Sequence, residues 1–128
     1  MTHLLDTNIA IHLRDGDPFV SAKVAALEGA VLLSIISRVE LEGGVYRDPR
    51  EVGVRRARLD VMLDALPVLD FGHEAADAYR AIVEAAGSSR RKILDRMIAA
   101  QALVHRAALV TRNAADFQDI PGLVLVAW

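Results

Sequence analysis

At 128 residues the chain has room for one hydrophobic core, and it reads as a single domain over residues 1–128. Its residues are 53% hydrophobic but only 5% aromatic, which excludes a disordered segment and makes the expected core aliphatic. A net charge of −2 excludes a globally basic nucleic-acid binder, and the absence of cysteine excludes disulfide staples and thiolate metal sites.

The start, Met1-Thr2-His3-Leu4-Leu5-Asp6, lacks the basic region and long apolar run of a signal peptide. No stretch approaches the ~20 apolar residues of a membrane span. A cytoplasmic protein with no membrane partner is expected, and a cysteine-free chain suits a reducing interior. In chain order, strands are predicted near 2–6, 31–34, 67–70, 108–111 and 123–126. Helices are predicted near 8–13, 18–29, 36–47, 50–65, 73–87, 92–106 and 113–117. Turn chemistry supports several boundaries: Asp15-Gly16-Asp17-Pro18 breaks the chain and puts Pro at a helix start, while Gly29 and Gly87 suit helix ends. Short apolar strands alternating with helical segments argue for βαβ units and therefore for an α/β fold with a parallel sheet.

Four acids stand at the edges of these apolar segments: Asp6, Glu40, Asp95 and Asp116. In a parallel sheet, ligands bind in the crevice at the carboxyl ends of the strands, where these positions fall. Each acid also has an ordinary role available. Asp6 can cap the first helix, Ser37 and Glu40 match a capping box, and Asn113 with Asp116 matches a cap followed by a first-turn acid. Asp95 can pair with Arg91, Lys92 or Arg96 on a helix surface. Their conjunction favours a different reading. Glu40 and Asp95 lie in apolar stretches beside small residues such as Gly43, Gly44, Ala99 and Ala100. Carboxylates drawn together there would repel one another unless a cation neutralised them. Oxygen ligands without cysteine or paired histidine suit Mg²⁺ or Mn²⁺ rather than zinc.

Basic residues cluster twice, between Arg47 and Arg58 and at Arg90, Arg91, Lys92 and Arg96 around Asp95. Both groups supply candidates for holding a phosphate backbone, since guanidinium groups bind phosphate oxygens in pairs. The ordinary alternative is a set of solvated helix faces. The chain has no GxxxxGK and no GxGxxG, which argues against a nucleotide cofactor. The four histidines show no metal-ligand spacing, and Asp15-Gly16-Asp17 lacks the downstream Glu of a calcium loop.

Four segments in order carry a family resemblance: Leu5-Asp6-Thr7-Asn8, Glu40-Leu41-Glu42-Gly43-Gly44, Asp95-Arg96-Met97-Ile98-Ala99-Ala100 and Thr111-Arg112-Asn113-Ala114-Ala115-Asp116-Phe117. Nearly the whole chain resembles the PIN-domain family, and within it the VapC-type toxins of toxin–antitoxin pairs. The resemblance implies a three-layer α/β/α domain with a central parallel sheet of four to five strands. It implies a Mg²⁺-dependent endoribonuclease (Mn²⁺ also suits) whose metal is held by Asp6, Glu40, Asp95 and Asp116, the last being the acid that varies most. Thr7, Asn8, Thr111 and Asn113 match polar positions around the metal or substrate. The implied partners are a cognate antitoxin, an RNA substrate such as tRNA or another structured RNA, and a second copy of the chain within a larger toxin–antitoxin assembly. Two alternatives remain at this stage. One is a non-catalytic RNA-binding or interaction module of the same fold. The other, an aspartyl phosphotransfer domain with Asp6 as nucleophile, is disfavoured by the absence of any lysine after Lys92.

Overall fold

The computed structural model describes all 128 residues. Five short strands, β1 (His3–Leu5), β2 (Val31–Ser34), β3 (Val68–Leu69), β4 (Ala108–Thr111) and β5 (Leu125–Ala127), form one sheet. Its order is β3-β2-β1-β4-β5, and every neighbouring pair is parallel. The connections carry six helices: α1 (Thr7–Arg14), α2 (Pro18–Ala25), α3 (Ile35–Val45), α4 (Val52–Ala65), α5 (His73–Ala86) and α6 (Ile93–His105). A 3₁₀ turn covers Ala114–Phe117.

Side-chain alternation along the strands explains the three layers. On β1, Leu4 faces a core shared with Ile82 of α5 and Ile98 of α6, and its neighbour Leu5 faces Ile9 of α1 and Val20 of α2. On β4, Leu109 and Val110 divide between the same two cores. Leu33 of β2 joins Leu41, Val45, Leu59 and Met62 of α3 and α4. Both faces of the sheet are therefore covered by helices, as a parallel sheet requires.

The predicted strands at 31–34 and 108–111 match residue for residue, and the other elements shift by a few residues at their ends. The largest difference is α2, which stops at Ala25 rather than near 29, with Gly29 at φ +92°. No helix is long and apolar enough to cross a membrane.

The strand order places the topological switch point between β1 and β4, because the chain moves one way from β1 to β2 and β3 and the other way to β4 and β5. Helices leaving the sheet on opposite sides open a crevice there at the carboxyl edge. Asp6 follows β1 directly and Thr111 ends β4, so both stand at that crevice.

Candidate functional site

Asp6 is 4% exposed and caps α1, one carboxylate oxygen accepting the Ile9 N–H at 2.9 Å. Its other oxygen accepts the Thr111 hydroxyl. Thr111 is itself held by the Asn113 N–H, which donates to its Oγ1 at 2.9 Å. The helix-capping role and the site role of Asp6 are thus compatible. With both oxygens engaged, Asp6 is poorly placed as an in-line phosphoryl acceptor. Burial pushes its carboxyl above the ordinary range, and the Thr111 and backbone hydrogen bonds offset part of that rise.

Glu40 is organised differently from its expected capping box. Ser34, not Ser37, caps α3, its hydroxyl accepting the Ile36 N–H at 3.0 Å. Ser37 is fully buried and lies 2.8 Å from the Thr7 hydroxyl. Thr7 donates to Glu40 Oε1 at 2.8 Å. A hydroxyl has one proton, so Ser37 donates to Thr7 and the chain runs Ser37 to Thr7 to Glu40. Ser37 belongs to the site and was read only as a cap. Its spacing of three from Glu40, which puts both on one helix face, is the signal that could have found it.

Asp95 stands in the first turn of α6, half-buried. The surface pairs expected for it do not form: Arg91 leans toward Asp116 at 4.0 Å, and Lys92 and Arg96 face Asp119 at 3.7 and 3.2 Å. Desolvation raises the Asp95 carboxyl above its ordinary value, and the negative charges of Asp6, Asp116 and Glu40 raise it further. Arg91 lowers it by a smaller amount. The fold therefore gathers all four carboxylates into one electrostatic neighbourhood. Asp116 enters it from the 3₁₀ turn.

The acids do not close into a tight cage: no three carboxylate or imidazole side chains in the chain stand at coordinating spacing. The apolar embedding expected from neighbouring residues is only partly present. Val39 is 65% exposed and Leu94 45%, because residues adjacent in a helix face different ways.

The remaining candidates divide. Thr7 and Thr111 hold the acids, while Asn8 and Asn113 stand exposed, Asn113 contributing through its backbone. Arg90 and Arg91 are exposed as a phosphate contact requires. Arg96 is a correction. It is 3% exposed and spends its guanidinium on the Gly87 carbonyl and Asp119, so it braces the structure from inside. Lys92 is largely covered and faces Asp119. The basic run from Arg47 to Arg58 is partly engaged within the chain: Arg55 donates to the Gly44 carbonyl, Arg56 to Glu42 and Asp60, and Arg58 to the Asp15 carbonyl, while Arg47 and Arg50 stand exposed.

A family model of the PIN domain matches residues 3–123. The chain belongs to the PIN-domain family. Ribonuclease VapC2 of Rickettsia felis is 29% identical to this PIN domain over 134 aligned residues, spanning 100% of this chain and 98% of the relative. The solved structure of VapBC2 from Rickettsia felis, bound to a DNA fragment from its promoter, superposes with a TM-score of 0.83. That match is 28% identical and covers 100% of this PIN domain and 99% of the other chain. A toxin–antitoxin complex from Klebsiella pneumoniae matches at a TM-score of 0.75 and 28% identity, covering 95% of each chain.

Proposed function

We propose that this PIN domain is a divalent-metal-dependent endoribonuclease and the toxin half of a toxin–antitoxin pair. The observation that carries the reading is the convergence of Asp6, Glu40, Asp95 and Asp116 from four separate stretches of chain on the carboxyl edge of the sheet at its switch point. The similarity to a ribonuclease over the full length of this chain supports the substrate class. Asp6, Asp95, Glu40 and Asp116 would hold the metal, with Mg²⁺ preferred by the all-oxygen donor set and Mn²⁺ acceptable. The bound ion supplies Lewis-acid polarisation of a phosphodiester oxygen and a lowered pKa for the attacking water. Ser37 and Thr7 orient Glu40 by donating toward it. Thr111 orients Asp6 in the same way and favours its charged form against the pull of burial. Arg90 and Arg91 offer the exposed cations that bring a polyanion to an acidic pocket.

Cleavage of bulk RNA and of tRNA, assayed with and without Mg²⁺, tests the proposal. Asp6→Asn preserves the α1 cap, since Asn caps as well as Asp, yet it is expected to abolish metal-dependent cleavage and growth inhibition. Unchanged cleavage by Asp6→Asn, or cleavage that survives EDTA, would sink the assignment.

An antitoxin partner belongs to the same proposal, because related structures are toxin–antitoxin complexes. A cleft of about 610 Å³ between α1, α2 and α4, lined by Leu13, Val24, Ala57, Val61 and Met62, offers an apolar seat for a segment of it. A homodimer is proposed as well. Val39, Tyr46, Ile93 and Leu94 leave apolar surface exposed that a second copy would cover. Light scattering is expected to give twice the 13.9 kDa chain mass.

A further inference from the structure

Phe19 lies in the first turn of α2 with 49% of its surface exposed, in a chain that has only three phenylalanines. Two cations attend its ring: the Arg112 guanidinium carbon and the Lys23 ammonium each stand 5.5 Å from the ring centroid. At that range the ring quadrupole attracts a cation. The cations come from different parts of the fold, Lys23 from one turn further along α2 and Arg112 from the loop after β4. The nearby carboxylate does not cancel them. One oxygen of Asp17 caps α2 through the Val20 N–H at 3.0 Å, and the other faces His12 at 3.9 Å. Asp17 feels the charge of Arg112 without pairing with it.

The cluster borders the acidic pocket. Arg112 follows Thr111, whose hydroxyl donates to Asp6. An exposed aromatic face with cations around it is the arrangement by which proteins hold unpaired nucleotides: the base stacks and the phosphates meet positive charge.

We propose that Phe19, Arg112 and Lys23 form a subsite for one unpaired nucleotide of the RNA, next to the phosphodiester presented to the acids. The inference rests on the ribonuclease reading above. Stacking accepts every base, because each has a π face, so the subsite selects single-stranded segments and not a particular base. It also supplies positive charge at the rim of a pocket whose own charge repels phosphate.

Two measurements on the full chain test it. In the first, steady-state cleavage of an unpaired oligoribonucleotide is followed in Mg²⁺. Phe19→Ala is expected to raise KM roughly tenfold with kcat nearly unchanged. Phe19→Trp restores KM, and Arg112→Gln flattens the salt dependence of KM. In the second, fluorescence anisotropy follows the same oligoribonucleotide in EDTA, where metal-dependent cleavage is off, and Phe19→Ala is expected to weaken binding by a similar factor. Unchanged affinity in Phe19→Ala overturns the subsite even if the wild type cleaves RNA. So does a loss that Phe19→Trp fails to rescue, or an effect confined to antitoxin binding. A wild type that cleaves no RNA, but loses oligonucleotide affinity in Phe19→Ala, supports the subsite and overturns only the ribonuclease reading.

Discussion

The cost of assembling the site falls on single carboxyl groups. Asp95 holds its proton more tightly in the folded chain than in the unfolded one, through desolvation and then the charges of Asp6, Asp116 and Glu40. Below the ordinary carboxyl value both states are protonated and no penalty exists. As pH rises past that value the unfolded chain ionises first, so metal-free stability falls until the raised folded value is passed. Neutral pH lies above the ordinary carboxyl value, so the penalty is present there. Asp95→Asn is therefore expected to raise the melting temperature in EDTA at pH 7 and to leave it nearly unchanged at pH 3. Mg²⁺ should stabilise the wild type and not the variant. An Asp95→Asn protein less stable than wild type at pH 7 would show that the carboxylate is not under this strain. Ser37 acts at the same scale with the opposite sign, donating toward Thr7 and so fixing Glu40. Ser37→Ala is expected to lower Mg²⁺ affinity or activity roughly 10- to 100-fold. Calorimetric titration with Mg²⁺ checks the affinity.

Elements bring these residues into position through their ends. Asp6 terminates β1 and starts α1, Ser34 terminates β2 and starts α3, and each junction is fixed by a side chain from elsewhere. Ser34 donates to Gln101 of α6, whose amide nitrogen donates to the Leu69 and Asp70 carbonyls at 3.1 Å each. One buried side chain thereby ties α6, which carries Asp95, to the carboxyl ends of β2 and β3. Arg96 ties the same helix to the Gly87 carbonyl and to Asp119, beyond the turn bearing Asp116. Gly87 suits this role, since it leaves α5 at φ +85° and frees its carbonyl. The other end of α6 is less well matched. Arg106 caps it in the left-handed region at φ +51°, where a Cβ is disfavoured. Arg106→Gly is expected to stabilise the protein by about 0.5–1 kcal/mol, read from chemical denaturation, with cleavage unchanged. A destabilised variant would mean that the Arg106 side chain contributes more than its backbone costs.

Over the whole molecule, function depends on a parallel sheet whose switch point collects acids separated by up to 110 positions in the chain, from Asp6 to Asp116. The same architecture leaves the cleft between α1, α2 and α4 on the face away from α5 and α6. Val61 is 69% exposed there, so it contributes little to folding and is available to a partner. Val61→Glu is expected to weaken capture by the cognate antitoxin at least tenfold while RNA cleavage by the free protein persists, because a buried unpaired carboxylate is costly at an apolar interface. Co-purification of the pair and a cleavage assay on the isolated chain separate the two effects. Equal capture by Val61→Glu would place the antitoxin elsewhere.

The sequence by itself determined the alternation of strands and helices, the parallel sheet that follows from it, and the acids at segment ends. These are local facts: apolar periodicity, turn chemistry and short motifs are set by neighbours in the chain. Strands 31–34 and 108–111 were legible to the residue for that reason. Tertiary structure alone decided which polar residues face which. Ser37 turned from a cap into a donor because α3 begins three residues earlier than its capping box suggests, with Ser34 as the cap, which buries Ser37 against Thr7 on another helix. Arg96 turned from a surface cation into a buried brace because the loops at Gly87 and Asp119 fold over it. Lys92, Arg55 and Arg58 found partners that no sequence spacing specifies. The meeting of the four carboxylates was also decided there, since they lie on separate segments that act on one another only when the sheet and its helices pack.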